Sequence, residues 1–590
     1  MARFIDELKR THSCGELREE NIDQEIVLFG WVQNRRDHGG CIFIDLRDRD
    51  GLTQVIFDPE TTDKEAFETA DRARSEWVLG VRGKVRDRGT KDDGTSLHNP
   101  RLATGAIEVI ALATTIFNKA ETPPFEIEDQ IATGEDKRLQ YRYLDLRRSP
   151  LQKNLMMRSQ LNHETRNYFN ESGFLEIETP FLVKYTPAGY DKYFQIVRCF
   201  RDEDLRIDRQ PEFTQIDVEM SFINEDDLFK VLEGLVFRLW KEVLGIDLLE
   251  RFPSGEFPRL PFAESMERFG NDKPDMRFAM EHVDITDLTV EHGGGGIGML
   301  EPIAKKFSEG AYRRDLPTEI VKAMVVPSGH GFSRKDLDAL EKYVRQMGAK
   351  GLARAKVDGE GNWLQSPLAK MVTPEFRKAV NEAVDAKDGD LIFFQFGPTS
   401  KVQTVMANLR LHVARKLGLI PETGSAGEWN FLWVVDPPLF ERNEDKKRWE
   451  AAHHVFTRPH DECIELLASD PGNVLSYRYD LVLNGFEIAG GSIRLHDPEV
   501  QKKVFEVIGL SDEDAREKFG FLLDALTYGA PPHGGIAVGM DRVAMLAAET
   551  ESIRDVIAFP KTQRANDLMT SAPSRVDPEQ LLDLKIKTLE

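Results

Sequence analysis

Residues 200–220 read FRDEDLRIDRQPEFTQIDVEM, and the second half of that stretch alternates without a break. Phe213, Gln215, Asp217 and Glu219 fall on one face, and Thr214, Ile216, Val218 and Met220 on the other. That period of two marks a strand with one buried side. The segment from Gln195 to Glu203 reads as a partner strand, joined by a charged loop. A back of Ile, Val and Met needs a core beneath it. A front carrying a ring, an amide and two acids is costly for a fold to maintain without a use. Arg201, Glu203, Arg206 and Arg209 add charge at the strand end and in the loop. Guanidinium forks, an aromatic plate and carboxylates together suit a nucleotide triphosphate and its metal.

The rest of the chain supplies several cores for such a surface. It has 590 residues, enough for several domains. Residues 15–115 hold short strands at regular spacing, such as EIVLFGWVQNRR and AIEVIALATTIFNKA, with one helical stretch near Asp63–Ser75. This pattern predicts a small closed β-barrel over 1–118. The Pro-containing acidic run AETPPFEIEDQIATGED then reads as a hinge, 119–145. A helix near Leu151–Ser172 and the strand FLEIETPFL open a body over 146–280. Residues 281–415 change texture, with a Gly run at 293–296 and the strand DLIFFQF, and read as an α/β insert. From 416 to 590 the strand-rich pattern returns and is expected to continue to the last residue.

Composition excludes several classes. A formal charge of -23, with 41% hydrophobic and 30% charged residues, argues against a general nucleic-acid coat but permits a local basic footprint. Cys14, Cys41, Cys199 and Cys463 form no CxxC pair, so neither a zinc site nor a disulfide framework is expected. The opening MARFIDELKR lacks an apolar signal core, and no long uncharged apolar run offers a membrane span. The expected location is cytoplasmic.

Three further segments carry chemistry. In YDLVLNGFEIAGGSIRL, 479–495, Asn484-Gly485 predicts a two-residue hairpin turn. Val482 then faces Glu487 and Asp480 faces Ala489, so Asp480 and Glu487 become diagonal neighbours roughly 7–8 Å apart. Two carboxylates so placed can share one Mg²⁺ with phosphate oxygens, although an ordinary solvated sheet face shows the same pattern. A bulge at Gly490-Gly491 would leave open the side to which Arg494 points. In GAPPHGGIAVGMDRVAML, 529–546, the glycines give a ligand room against backbone, and Arg542 is placed to stack on a base or bind a phosphate. His453-His454 read as loop histidines or as donors to a small substrate. In the barrel, Arg35, Arg36, Arg47 and Arg49 flank Phe43 and Gln54. That set fits single-stranded nucleic acid, or a surface of salt-bridging charges.

Taken together, these segments resemble a class II aminoacyl-tRNA synthetase, specifically the bacterial type of aspartyl-tRNA synthetase. FRDEDLRIDRQPEFTQIDVE is similar to that family's second signature motif, GGIAVGMDR to the third, and FLEIETPFL, with Pro180, to the first, which lies at the dimer interface. The resemblance implies an α+β multidomain fold: an OB-type anticodon barrel, an antiparallel-sheet catalytic domain and the bacterial insert. It implies ATP and Mg²⁺, L-aspartate and tRNA(Asp) as substrates and partners, and a homodimer. By position it assigns Arg201 to the α-phosphate, and Asp202, Glu203, Gln210, Gly539, Met540 and Asp541 to the nucleotide. Phe213 and Arg542 would hold adenine. Asp480 and Glu487 would hold Mg²⁺. Arg201, Asp217, His453 and Arg494 would hold aspartate. Catalysis would rest on Arg201, Glu487 and Arg542. The anticodon set is Arg36, Phe43, Gln54 and Glu108.

One departure is large. The family has a long substrate-closing segment where this chain passes directly from KYTP to AGYDKYF after Pro187. Either the protein lacks that segment, or it carries residues there that this sequence does not. The first reading keeps open a tRNA-binding relative with impaired catalysis. His38, in RRDHGG, matches the family position whose histidine accompanies acceptance of tRNA(Asn) as well as tRNA(Asp); a surface-loop histidine is the plainer reading.

Overall fold

The structure, a computed structural model, describes residues 3–90, 94–180, 191–202, 207–308, 318–327, 331–420, 429–443 and 445–589. They form two compact units. One comprises Met1–Arg158, Asp204–Pro211 and Arg554–Glu590; the other comprises Ser159–Glu203 and Glu212–Ile553.

The first unit is built on a closed barrel of β1 (Glu25–His38), β2 (Cys41–Arg47), β3 (Leu52–Phe57), β4 (Val78–Asp87) and β5 (Ile107–Asn118), in the order β1-β2-β3-β5-β4. Alternate positions such as Leu28, Ile44, Leu46, Val55, Val81 and Val109 fill the interior. The predicted helix is Lys64–Arg72, started by the Asp63 carboxylate accepting from the Glu65 N–H. Beyond the barrel, Asp145 is fully buried and held by Arg142 at 2.7 Å and Arg148 at 3.0 Å. Arg142 also donates to the backbone carbonyls of Arg554, Ile557 and Ala558, which ties the C-terminal segment into this unit. That segment corrects one expectation. No strand follows Gly539 among the described residues, because the alternating pattern gives way to turns and short helices.

The second unit contains an eight-stranded sheet. Its strands are β6 (Leu175–Glu176), β7 (Lys192–Phe200), β8 (Glu212–Ser221), β9 (Arg259–Pro261), β15 (Phe431–Val435), β18 (Arg478–Leu483), β19 (Phe486–Ile493) and β20 (His533–Gly539). The order is β6-β7-β8-β20-β19-β18-β15-β9, antiparallel except at the two edges. FLEIETPFL yields only the two exposed residues of β6 as strand among those described. Behind the sheet lies the helix Glu225–Leu244. An Asn224/Asp227 capping box starts it, and Gly245 ends it in the left-handed conformation. Its Leu232, Leu235, Leu239 and Trp240 meet Ile216, Leu481, Ile488 and Val538 from the sheet. Burying that apolar face leaves the polar face of β8 as the front.

Between β9 and β15 the chain forms its own five-stranded antiparallel sheet, in the order β10-β11-β14-β12-β13. These strands are β10 (His282–Asp284), β11 (Glu319–Val326), β12 (Ala353–Val357), β13 (Trp363–Leu364) and β14 (Leu391–Pro398). A short hairpin, β16 (Phe440–Asn443) with β17 (Arg448–Ala451), follows β15.

Candidate active site

The front of β8 carries Phe213, Gln215, Asp217 and Glu219, while Ile216, Val218 and Met220 are buried behind. Arg201, just past the end of β7, places its guanidinium 5.2 Å from the Phe213 ring centroid. Asp202 beside it is exposed, and Glu203 lies outside the described residues. Asp217 accepts from the Gln195 amide at 3.2 Å. Burial, with Glu219 nearby, pushes its carboxyl pKa up to about 6 against the pull of Arg494 and Arg201.

Glu219 was on the predicted polar face but had no predicted partner. Its Oε1 accepts from Arg494 at 2.6 Å, and its Oε2 is buried with no hydrogen-bond partner. A side chain at Gly535 would meet the Glu219 carboxyl carbon at 2.2 Å. The space left by this glycine is thus filled by Glu219, which corrects the reading of room for a ligand at Gly535. Arg494 also donates to His454 Nε2 at 2.7 Å and to Ser492 Oγ at 3.1 Å. Its direction depends on groups from β8, β19 and the 453–457 loop, which no single segment displays. The His453 ring lies against that of His454 at a tilt of 41°, ring centroids 4.4 Å apart. Crowding on one side and the guanidiniums of Arg478, Arg494 and Arg201 lower its pKa, although its other side is open to solvent.

The hairpin turn is Asn484-Gly485 as expected, with φ of 52° and 85°. The bulge is not at Gly490-Gly491. The register shifts between Leu481 and Val482, so Ile488 is the extra residue and Asp480 faces Gly490 rather than Ala489. Gly490 has a different use. A Cβ there would lie 2.7 Å from Asp480 Oδ1 and 3.4 Å from Glu487 Oε1, so both carboxylates converge over this one residue. Burial and the Glu487 charge push the Asp480 carboxyl up, and Arg478, at 2.7 Å, offsets only part of that charge. A cradle of two acids, one of them 4% exposed, fits a divalent cation completed by oxygens from elsewhere. Among the described residues no group of three or more His, Cys, Asp or Glu forms a metal cage on its own.

At the end of β20, Met540 and Asp541 are buried. Asp541 accepts from the Thr214 backbone N–H at 2.6 Å, pinning β8 to the helix Met540–Ala547. Arg542 donates to the Glu487 carbonyl, which brings the guanidinium beside the acid hairpin. Gly539 faces Gln215 across the sheet, and a Cβ there would make only ordinary contacts, 3.6 Å to the Ile488 carbonyl oxygen and 3.9 Å to the Arg542 Cβ. Gln210 belongs to the first unit, where its buried amide takes both backbone groups of Lys561, at 2.7 and 3.1 Å.

On the barrel, Arg36 donates to Asp45 at 2.8 Å and to Gln54 at 3.1 Å; Gln54 donates to Glu108 at 2.8 Å, and Arg86 holds Glu108 at 2.8 Å. Phe43 stands opposite Arg36, half-buried. The other arginines separate from this group: Arg47 is buried on Glu76, Arg35 pairs with Asp71 and Arg49 with Asp50. His38 is exposed beside the Gly39-Gly40 turn.

A predominantly antiparallel sheet with a polar front and a helix behind it, in a chain that also carries a five-stranded barrel, defines the class II synthetase architecture. The family description "tRNA synthetases class II (D, K and N)" matches residues 134–189 and 185–563, and "OB-fold nucleic acid binding domain" matches 26–110. The chain belongs to this class II family. It is 59% identical to a protein of Anaeromyxobacter sp. (strain K) named "Aspartate--tRNA(Asp/Asn) ligase", covering 100% of this chain and 99% of that one. A Geotalea uraniireducens (strain Rf4) protein of the same name is 46% identical over 100% of both. Among solved structures, "Aspartyl tRNA synthetase from Entamoeba histolytica" has the same fold, with a TM-score of 0.55, 17% identity and coverage of 97% and 93%. The two matched pieces of the family meet at 185–189, where the chain passes from KYTP to AGYDKYF. The Anaeromyxobacter alignment spans 621 positions against 590 residues, so at least 31 positions have no counterpart in this chain. Residues 181–190 lie outside those described. No helix among the described residues is long and apolar enough to cross a membrane.

Proposed function

We propose that this chain is an aspartate–tRNA ligase that activates L-aspartate with ATP and charges tRNA(Asp) and also tRNA(Asn). The observation that carries the reading is one floor holding an acid, Asp217, and a fixed guanidinium, Arg494. An ammonium and a side-chain carboxylate on one small molecule match that pair. The names of the relatives agree with it.

In the first step the aspartate α-carboxylate attacks the α-phosphate in line and pyrophosphate leaves. No protein nucleophile is needed. Arg201 takes the phosphate charge, while Phe213 and Arg542 hold adenine and Asp202 and Glu203 line the nucleotide. His453, with Arg494, fixes aspartate. Asp480 and Glu487 would hold Mg²⁺, which would supply charge neutralisation for the phosphate oxygens. In the second step a terminal ribose hydroxyl of the tRNA attacks the aspartyl carbonyl and AMP leaves. On the barrel, Phe43 stacks an anticodon base, Gln54 reads it, and Arg36 and Glu108 orient Gln54. Relaxed tRNA choice rests on His38. The protein works in the cytoplasm as a homodimer. The reading of a relative with impaired catalysis is not favoured, because relatives 59% and 46% identical over the whole chain carry the name of an aspartate–tRNA(Asp/Asn) ligase.

Charging separate tRNA(Asp) and tRNA(Asn) transcripts with labelled aspartate tests the proposal. Both are expected to be charged. If neither accepts aspartate the reading fails, and if only tRNA(Asp) does the relaxed choice fails.

A further inference from the structure

Arg494 is oriented by three side chains, and two of them, Ser492 and His454, carry neither charge nor an assigned role. Its backbone N–H is bonded to the His533 carbonyl at 2.9 Å, which anchors the chain end of β19. Its Nη2 is held by Glu219, and its Nη1 by Ser492 and His454. The His454 loop is laid along the same strand: the Leu495 N–H donates to the Phe456 carbonyl at 2.7 Å and the Arg458 N–H to the Ile493 carbonyl at 3.0 Å.

We infer that His454 is a positioning residue that fixes the Arg494 guanidinium through a neutral Nε2 acceptor, and so sets the grip on the side-chain carboxylate of the substrate. This rests on the aspartate–tRNA ligase reading.

The protonation pattern follows from the partners. A neutral imidazole has one lone pair, and two N–H donors approach the ring, beside the Ser492 hydroxyl 3.5 Å from Nε2 and the Thr457 hydroxyl 3.4 Å from Nδ1. Arg494 approaches Nε2 at 2.7 Å and the Phe456 N–H approaches Nδ1 at 3.2 Å. The charged and shorter contact is the stronger, so the lone pair is assigned to Nε2 and the proton to Nδ1, facing Thr457 Oγ1 at 3.4 Å, at the cost of the Phe456 N–H contact to Nδ1. Burial, then the Arg494 charge, lowers the His454 pKa to about 2, so the ring stays neutral at any working pH.

Neutrality matters because Glu219 already opposes the Arg494 charge. A second anion would leave the guanidinium with no net attraction for a substrate carboxylate. A protonated imidazole would repel the guanidinium. A neutral acceptor restrains direction while leaving the charge for the ligand.

The test uses the intact protein in aspartate-dependent ATP–pyrophosphate exchange, with separate Michaelis constants for aspartate and ATP. His454→Gln places an oxygen near the Nε2 position; His454→Asn places it near Nδ1; His454→Phe keeps the ring without an acceptor. The Asn and Phe variants are expected to raise KM for aspartate about ten- to a hundredfold, the loss of one hydrogen bond to a charged group. The Gln variant is expected to stay within about threefold, and KM for ATP within about twofold in all three. Equal impairment of Gln and Asn, or an equal loss for ATP and aspartate, would show a merely structural ring and overturn the inference. An unchanged KM for aspartate throughout would also overturn it. If the Phe variant unfolds, the Gln and Asn pair decides. Absence of exchange by the unaltered protein would instead refute the ligase reading.

Discussion

Replacing Gly490 with alanine tests the acid cradle from the backbone side. The new Cβ would stand 2.7 Å from Asp480 Oδ1 and 3.4 Å from Glu487 Oε1, where ordinary contact begins near 3.4 Å. Asp480 has nowhere to retreat, being 4% exposed and held by Arg478 at 2.7 Å. Overpacking of this kind costs about 1–3 kcal/mol, so the thermal midpoint is expected to fall by a few degrees. The larger effect falls on the metal. The methyl group enters the space between the two carboxylates and moves one of them away. Displacing a group that supports a metal typically lowers affinity by about ten- to a hundredfold. The assay is pyrophosphate exchange at fixed ATP and aspartate across a Mg²⁺ series, with Gly298→Ala as control, since nothing lies within 4 Å of a Cβ there. A Mg²⁺ half-saturation for Gly490→Ala within about twofold of the unaltered protein would refute the assignment of Asp480 and Glu487 as the metal seat.

Three further outcomes are expected. Asp217 has a raised pKa of about 6, so acidification protonates it and removes the partner of the substrate ammonium. KM for aspartate at saturating Mg²⁺ should rise about fourfold between pH 7.5 and 5.5, and a flat profile would contradict this. The same shift makes ionised Asp217 a cost to folding that develops as pH rises from its ordinary 3.8 through about 6. Asp145→Ala leaves the buried guanidiniums of Arg142 and Arg148 without their anion, and should destabilise the first unit by about 3–5 kcal/mol in denaturant melts. Intact mass spectrometry of the protein purified from its native source should read several kilodaltons above 67.1 kDa; a value at 67.1 kDa would show that the segment after Pro187 is truly missing.

The parts legible in the sequence are those with a short period. The alternation over 213–220 gave β8 its two faces, and Asn484-Gly485 gave the hairpin, because both signals lie within a few residues. The glycines misled for a physical reason. Gly490 and Gly535 read as a bulge and as ligand space, yet each makes room for a carboxylate from a neighbouring strand. Sequence spacing does not show which side chain will lean across a glycine. The partners of Arg494 were illegible for the same reason: Glu219 is 275 residues away and His454 is 40. Asp541 stands in the motif assigned to the nucleotide, and its carboxylate also accepts a hydrogen bond from the Thr214 backbone N–H, 327 residues earlier, which no local pattern displays.

The most direct test of the central claim is amino-acid-dependent ATP–pyrophosphate exchange by the intact protein without tRNA. Exchange with L-aspartate, abolished by Arg494→Leu and not supported by asparagine or lysine, is the predicted result. Exchange driven equally well by asparagine, or unaffected by loss of Arg494, would contradict it.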